Sequence, residues 1–100
     1  MVQVSYRPEV ANDLQQARNW YNEKVSSLGE EFLDEFWTKM DSICENPESF
    51  SLYDNQIRSA RLARFPYLIH YRYSADEDQV VVFAVMFGGR DVSAWLSRSE

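Results

Sequence analysis

The apolar residues of this chain change their spacing once, and that change sets what it can fold into. Between residues 8 and 45 they recur every three or four positions; between 57 and 87 they alternate or run together. The first spacing lays a stripe along a helix, and the second belongs to strands. Helix stripes and a sheet face bury one another, so the expected class is α+β. One hundred residues make one domain with one modest core.

The helical part divides in two. From Pro8 to Lys24, Val10, Leu14, Ala17 and Tyr21 form a stripe that Ala11 and Trp20 widen. Pro8 suits a first helical position, and Glu9 and Asp13 lie where the helix dipole favours acids. Val25 to Gly29 reads as a turn. From Glu30 to Glu45, Phe32, Phe36, Met40 and Ile43 form a second stripe, with Leu33, Trp37 and Cys44 beside it. Asn46-Pro47 stops it, because the residue before proline disfavours helix. Two amphipathic helices joined by a short turn make an antiparallel hairpin. Asn46 to Asn55 reads as a loop pinned by Phe50, Leu52 and Tyr53.

Strands flank this hairpin. Val2 to Tyr6 alternates and reads as a short half-buried strand. Ile57 to Arg64 has no cleanly apolar side, which suits a sheet edge. Tyr67 to Tyr73 sets Tyr67, Ile69, Tyr71 and Tyr73 against Leu68, His70 and Arg72. Ala75 to Asp78 is a turn, and Gln79 to Phe87 is apolar on both faces, as a central strand is. Asp91 to Leu96 reads as a short helix capped by Asp91 and anchored by Trp95. The expected order is β-α-α-β-β-β plus a short C-terminal helix. The sheet is small and mainly antiparallel, with the helical hairpin packed on one face.

Charge narrows the function classes. The net charge is −6, and all of it lies in residues 1–50; residues 51–100 are balanced. A net acidic domain is a poor general nucleic-acid binder, since phosphate binding depends on Lys and Arg. One cysteine, Cys44, rules out an internal disulfide and reads as a small buried apolar residue. No leader-like apolar run opens the chain, and Val80–Phe87 is too short to span a bilayer as a helix. The default setting is cytoplasmic, with no membrane partner. One His and one Cys far apart make no metal site, and no phosphate-binding glycine motif occurs, so no cofactor is expected.

Against this acidity stands Ile57 to Arg72, with four of the ten basic residues, the only histidine and no acid. Cleavage of RNA without metal needs a base, a proton donor and cations for phosphate. Arg58, Arg61, Arg64, Arg72 and Arg90 are candidate cations, and His70 or Tyr71 a candidate for moving protons. Salt bridges to the acidic hairpin are the competing use of the arginines. For His70 the competing reading is a partly buried, hydrogen-bonded strand residue.

The residues also carry a family likeness. Ala11, Asp13, Leu14, Ala17, Trp20 and Tyr21 come first, then Leu28, Gly29 and Phe32, then Asn46 and Pro47. Arg58, Ala60, Leu62, Arg64, Phe65, Pro66, Tyr67, Ile69 and Tyr71 follow, and Gly89, Arg90, Asp91 and Trp95 close the series. This pattern resembles the ParE branch of the RelE/ParE superfamily, toxins of bacterial type II toxin–antitoxin modules. The resemblance implies an antiparallel sheet backed by a helical hairpin. It implies a cognate antitoxin that wraps and neutralises the toxin. ParE-like toxins are associated with inhibition of DNA gyrase, whereas RelE-like relatives cut mRNA on the ribosome.

Two features depart from that pattern. Phe87 stands where many relatives have a histidine, and a phenylalanine cannot transfer a proton. The acidity contrasts with strongly basic ribosome-dependent nucleases. Both weigh against nuclease activity, and the acidity also weighs against nucleic-acid contact. The reading that results is a toxin that binds a protein target such as gyrase. Arg58, Arg61, Arg64, Arg72, Arg90 and Trp95 are its candidate target- or antitoxin-binding residues. The alternatives are an mRNA endonuclease using His70, Tyr71 and Arg90, and a degenerate, non-toxic binding member. A homodimer of the free chain is left open.

Overall fold

The computed structural model describes residues 2–53 and 56–88. Its elements are β1 (Gln3–Tyr6), α1 (Glu9–Lys24), α2 (Leu28–Glu45), β2 (Ser51–Leu52), β3 (Ile57–Arg61), β4 (Tyr67–Ser74) and β5 (Gln79–Phe87). They form one five-stranded sheet in the order β1-β5-β4-β3-β2. The pairs β2–β3, β3–β4 and β4–β5 are antiparallel; β1 lies parallel to β5, from Gln3 opposite Gln79 to Tyr6 opposite Val82. The expected α+β order and mainly antiparallel sheet are therefore present. The C-terminal helix expected at Asp91–Leu96 lies outside the described residues.

Both stripes of the hairpin are buried against the sheet. Val10, Ala17 and Tyr21 of α1 and Phe32, Phe36, Met40 and Ile43 of α2 join Ala60, Ile69, Tyr71, Val80, Val82 and Val85 in one core. Tyr21, Phe32, Phe65 and Tyr67 touch one another at centroid separations of 4.8 to 6.1 Å. Phe65-Pro66-Tyr67 thus locks the β3–β4 connection onto both helices. Ring pairs at such offsets add to the stability gained from burial alone.

Three details depart from the sequence expectation. First, α2 begins at Leu28, so Gly29 lies in its first turn rather than in the connecting turn. The turn conformation falls to Ser27, whose φ is 69°. Gly29 is needed for a close approach. A Cβ there would collide with the Arg18 carbonyl and the Asn22 side chain, and Asn22 Oδ1 accepts the Gly29 N–H at 2.7 Å. Second, Ser51–Leu52 pairs with Arg58 and Ser59, so a two-residue strand shields part of the expected edge. The edge strand itself ends at Arg61. Third, a bulge falls in β5. His70 and Tyr71 pair with Ala84 and Val82, leaving Phe83 as the extra residue. The bulge supports a second buried cluster of Ile57, Phe83, Ala84 and Met86.

Candidate functional site

The arginines of the cationic window separate into three places. Arg58 donates from Nη1 to the carbonyls of Glu48 (3.0 Å) and Phe50 (2.7 Å), clamping the segment after α2. It shares a polar pocket of about 370 Å³ with Arg72, Gln56, Glu48 and Tyr73. Arg61 reaches toward Gly88 at the opposite end of β3, where a Cβ on Gly88 would lie 3.4 Å from Arg61 Nη1. Arg64 turns to α2: its Nε meets Glu35 at 3.0 Å and its Nη2 meets Glu31 at 3.1 Å. Its backbone N–H also donates to Glu35, at 2.6 Å. Burial works to raise the Glu35 pKa, but the Arg64 amide and guanidinium prevail and lower it. Arg64 therefore serves the hairpin, in the way the competing salt-bridge reading foresaw. Arg90 and Trp95 lie outside the described residues.

The two proton-transfer candidates are both enclosed. His70 is 4% exposed, and its Nδ1 lies 2.8 Å from Ser59 Oγ on the neighbouring strand. Burial lowers its pKa to about 4, so the ring is neutral at physiological pH. The Tyr71 hydroxyl donates to the Pro47 carbonyl at 2.6 Å, and burial pushes its pKa up to about 12. Tyr71 ties β4 to the end of α2 from inside the core. His70 is on the opposite face of β4, since the two are consecutive in a strand. They do not converge on a shared cleft. Among the described residues no group of three or more His, Cys, Asp or Glu side chains could hold a metal ion. Cys44 is half-buried, and its pKa is raised by burial and by nearby Asp41, which opposes thiolate formation.

Elsewhere the structure assembles a cleft that the charge pattern did not announce. It occupies about 420 Å³ between α1 and the part of the β5 edge that, among the described residues, no strand pairs. Asp13, Gln16 and Trp20 line one side, with Tyr67, Pro66 and Phe87 across from them. The cleft exists because β1 stops at Tyr6 while β5 runs on to Phe87. Asp13, almost fully buried, takes over from the missing strand: its Oδ2 accepts the Val85 N–H at 3.0 Å. Trp20 and Phe87 are each about half exposed. Lys24 Nζ sits 4.8 Å from the Trp20 ring centre, and Tyr67 meets Phe87 edge-on at 6.0 Å. Two large apolar rings held open at a rim are what a protein-binding surface presents. On α1 the sequence carried a signal of this site: Asp13 falls within the buried arc, between Val10 and Ala17.

The family model described as "ParE toxin of type II toxin-antitoxin system, parDE" matches residues 4–92. The chain belongs to the ParE toxin family. Two solved structures show that its fold is shared. The chromosomal ParDE toxin–antitoxin system from P. aeruginosa contains a chain that superposes with a TM-score of 0.72 at 12% identity, over 85% of this chain and 94% of that one. The isolated E. coli RelE toxin superposes with a TM-score of 0.67 at 14% identity, over 94% of this chain and 92% of that one. No curated protein matches the sequence. This ParE-family toxin thus keeps the fold common to both branches. Among its described residues no helix is long and apolar enough to cross a membrane.

Proposed function

We propose that this ParE-family chain acts by gripping a protein target, DNA gyrase being the target its branch suggests, and that a cognate antitoxin neutralises it. One observation supports binding over chemistry. The residues able to move protons, His70 and Tyr71, are buried and hydrogen-bonded, while the rings that face solvent, Trp20 and Phe87, surround an open cleft. A partner side chain or strand entering that cleft would bury both rings beside the stretch of β5 that no described strand pairs.

Gyrase supercoiling in the presence of the purified chain tests this. The wild-type protein is expected to inhibit, and the Trp20→Ala, Phe87→Ala double variant to need about tenfold more protein for the same effect. Supercoiling unchanged at high molar excess would remove gyrase from the proposal. Ribosome-dependent mRNA cleavage abolished by Arg90→Ala and His70→Ala would replace binding with nuclease action. Expression that leaves growth unaffected would leave only the non-toxic binding reading.

A further inference from the structure

We propose that the polar pocket where β3 begins and β4 ends binds a small organic oxyanion, a carboxylate or phosphate on a short apolar body. The proposal goes beyond the reading of the protein target and does not rest on it. The pocket shares no lining residue with the aromatic cleft.

Two neighbouring strands bring the cations together. Ile57 opposes Arg72 across the β3–β4 pair, so Arg58 follows directly on the residue facing Arg72, and both arginines line the pocket. Arg58 is fixed before any ligand arrives. Its bonds to the Glu48 and Phe50 carbonyls both leave from Nη1, and three donors remain on Nε and Nη2. A side chain held in this way loses little freedom on binding. Its acceptors are neutral carbonyls. Among the described residues Arg58 has no carboxylate partner, whereas Arg18 and Arg64 both do. The Arg58 charge is therefore available to an anion.

The lining decides what that anion is. Among the described lining residues Glu48 is the one acid, against two arginines. The pocket is thus a locally positive place in a chain of net charge −6. The acids around it disfavour a polyanion such as RNA, whose charge extends far beyond the pocket, but a single anionic head fits within the local field. Guanidinium forks match the paired oxygens of carboxylate and phosphate alike. Gln56 and Ser74 add polar wall. Leu52, 54% exposed, and Ala75 offer an apolar side to the body of the ligand. A volume of about 370 Å³ lies at the small end of the range that takes small molecules.

Benzoate, phenyl phosphate and neutral benzamide test this, because they share a ring and differ in the head. Titration calorimetry measures affinity, and amide chemical shifts locate the site. Both anions are expected to bind about tenfold or more tightly than benzamide, with shifts centred on Arg58, Arg72 and Ser74. The tighter of the two anions names the head group of the natural ligand. Raised salt should weaken both. Arg72→Gln should weaken both about tenfold, with Arg72→Lys restoring part of the loss. Glu48→Gln reads the same charge without touching either arginine, and it leaves in place the main-chain carbonyl that Arg58 grips. It should tighten both anions about threefold and leave benzamide unchanged, which a purely structural role of Glu48 would not do. Benzamide binding as well as the anions, no binding by either anion, shifts confined to the Trp20–Phe87 cleft, or anion affinities unmoved by Glu48→Gln would each overturn the proposal.

Discussion

At the scale of single residues, neutral His70 couples stability to pH. The unfolded chain takes up a proton near pH 6.5, but the folded chain does so only near pH 4, because burial disfavours the imidazolium. The native state is thus favoured in full above pH 6.5 and loses that advantage as pH falls toward 4. The loss over this window is up to about 3 kcal/mol by proton linkage. Urea unfolding at steps between those two values should show the decline, and His70→Phe should flatten it. Glu35 gives a second prediction at this scale. It accepts both the amide and the side chain of Arg64, and its side chain is only 15% exposed. Glu35→Ala should cost about 1–2 kcal/mol, read as a lower urea midpoint with unchanged slope. Most of this would come from the amide bond, since Arg64 itself is well exposed and solvent screens its ion pairs.

At the scale of elements, the contact that sets the hairpin is Gly29 against Arg18 and Asn22. Gly29→Ala should destabilise by about 1–3 kcal/mol, the cost of forcing a methyl into a closed contact, and thermal unfolding measures it. Asp13→Ala should cost a comparable amount by leaving the buried Val85 amide without its acceptor. Its effect should appear first as faster hydrogen exchange at β5. These two positions show where the sequence was legible and where it was not. The stripes Val10–Tyr21 and Phe32–Ile43 are local, repeat with the helical period, and announce themselves. So does the doubly apolar β5. Gly29 looked like a turn residue because its reason, another helix's backbone, lies eleven residues back. Asp13 serves an amide 72 residues away, and no local pattern encodes that. Ser51–Leu52 becomes a strand only because β3 is beside it. The arginines were visible as a cluster in sequence, but alternation along β3 and the bend at residues 62–66 sent them to three separate places.

At the scale of the whole molecule, charge and topology divide the labour. The acids gather on the helices, while half of the arginines in the 57–72 window hold other parts of the chain: Arg58 the segment after α2, Arg64 the α2 acids. A fold that spends its cations this way keeps a negative outer surface, which favours partners of the opposite sign. Added salt should therefore weaken association with a basic partner segment far more than it alters thermal stability, and paired binding and melting series would check this. The parallel pairing of β1 with β5 has a consequence for how the molecule comes into being. Residues 3–6 are among the last to find their place, because their partner strand is Gln79–Val82. Contacts of such long sequence separation slow folding and delay this pairing until residues 79–82 have been made. A chain arrested on the ribosome before β5 emerges lacks the strand that joins β1 to β4. Chains truncated after Asp78 should be digested by protease at low concentration, whereas the full chain resists. For the toxin action proposed above, the folded shape then exists only once residues 79–82 have been made, and a partner made alongside it has that interval to arrive.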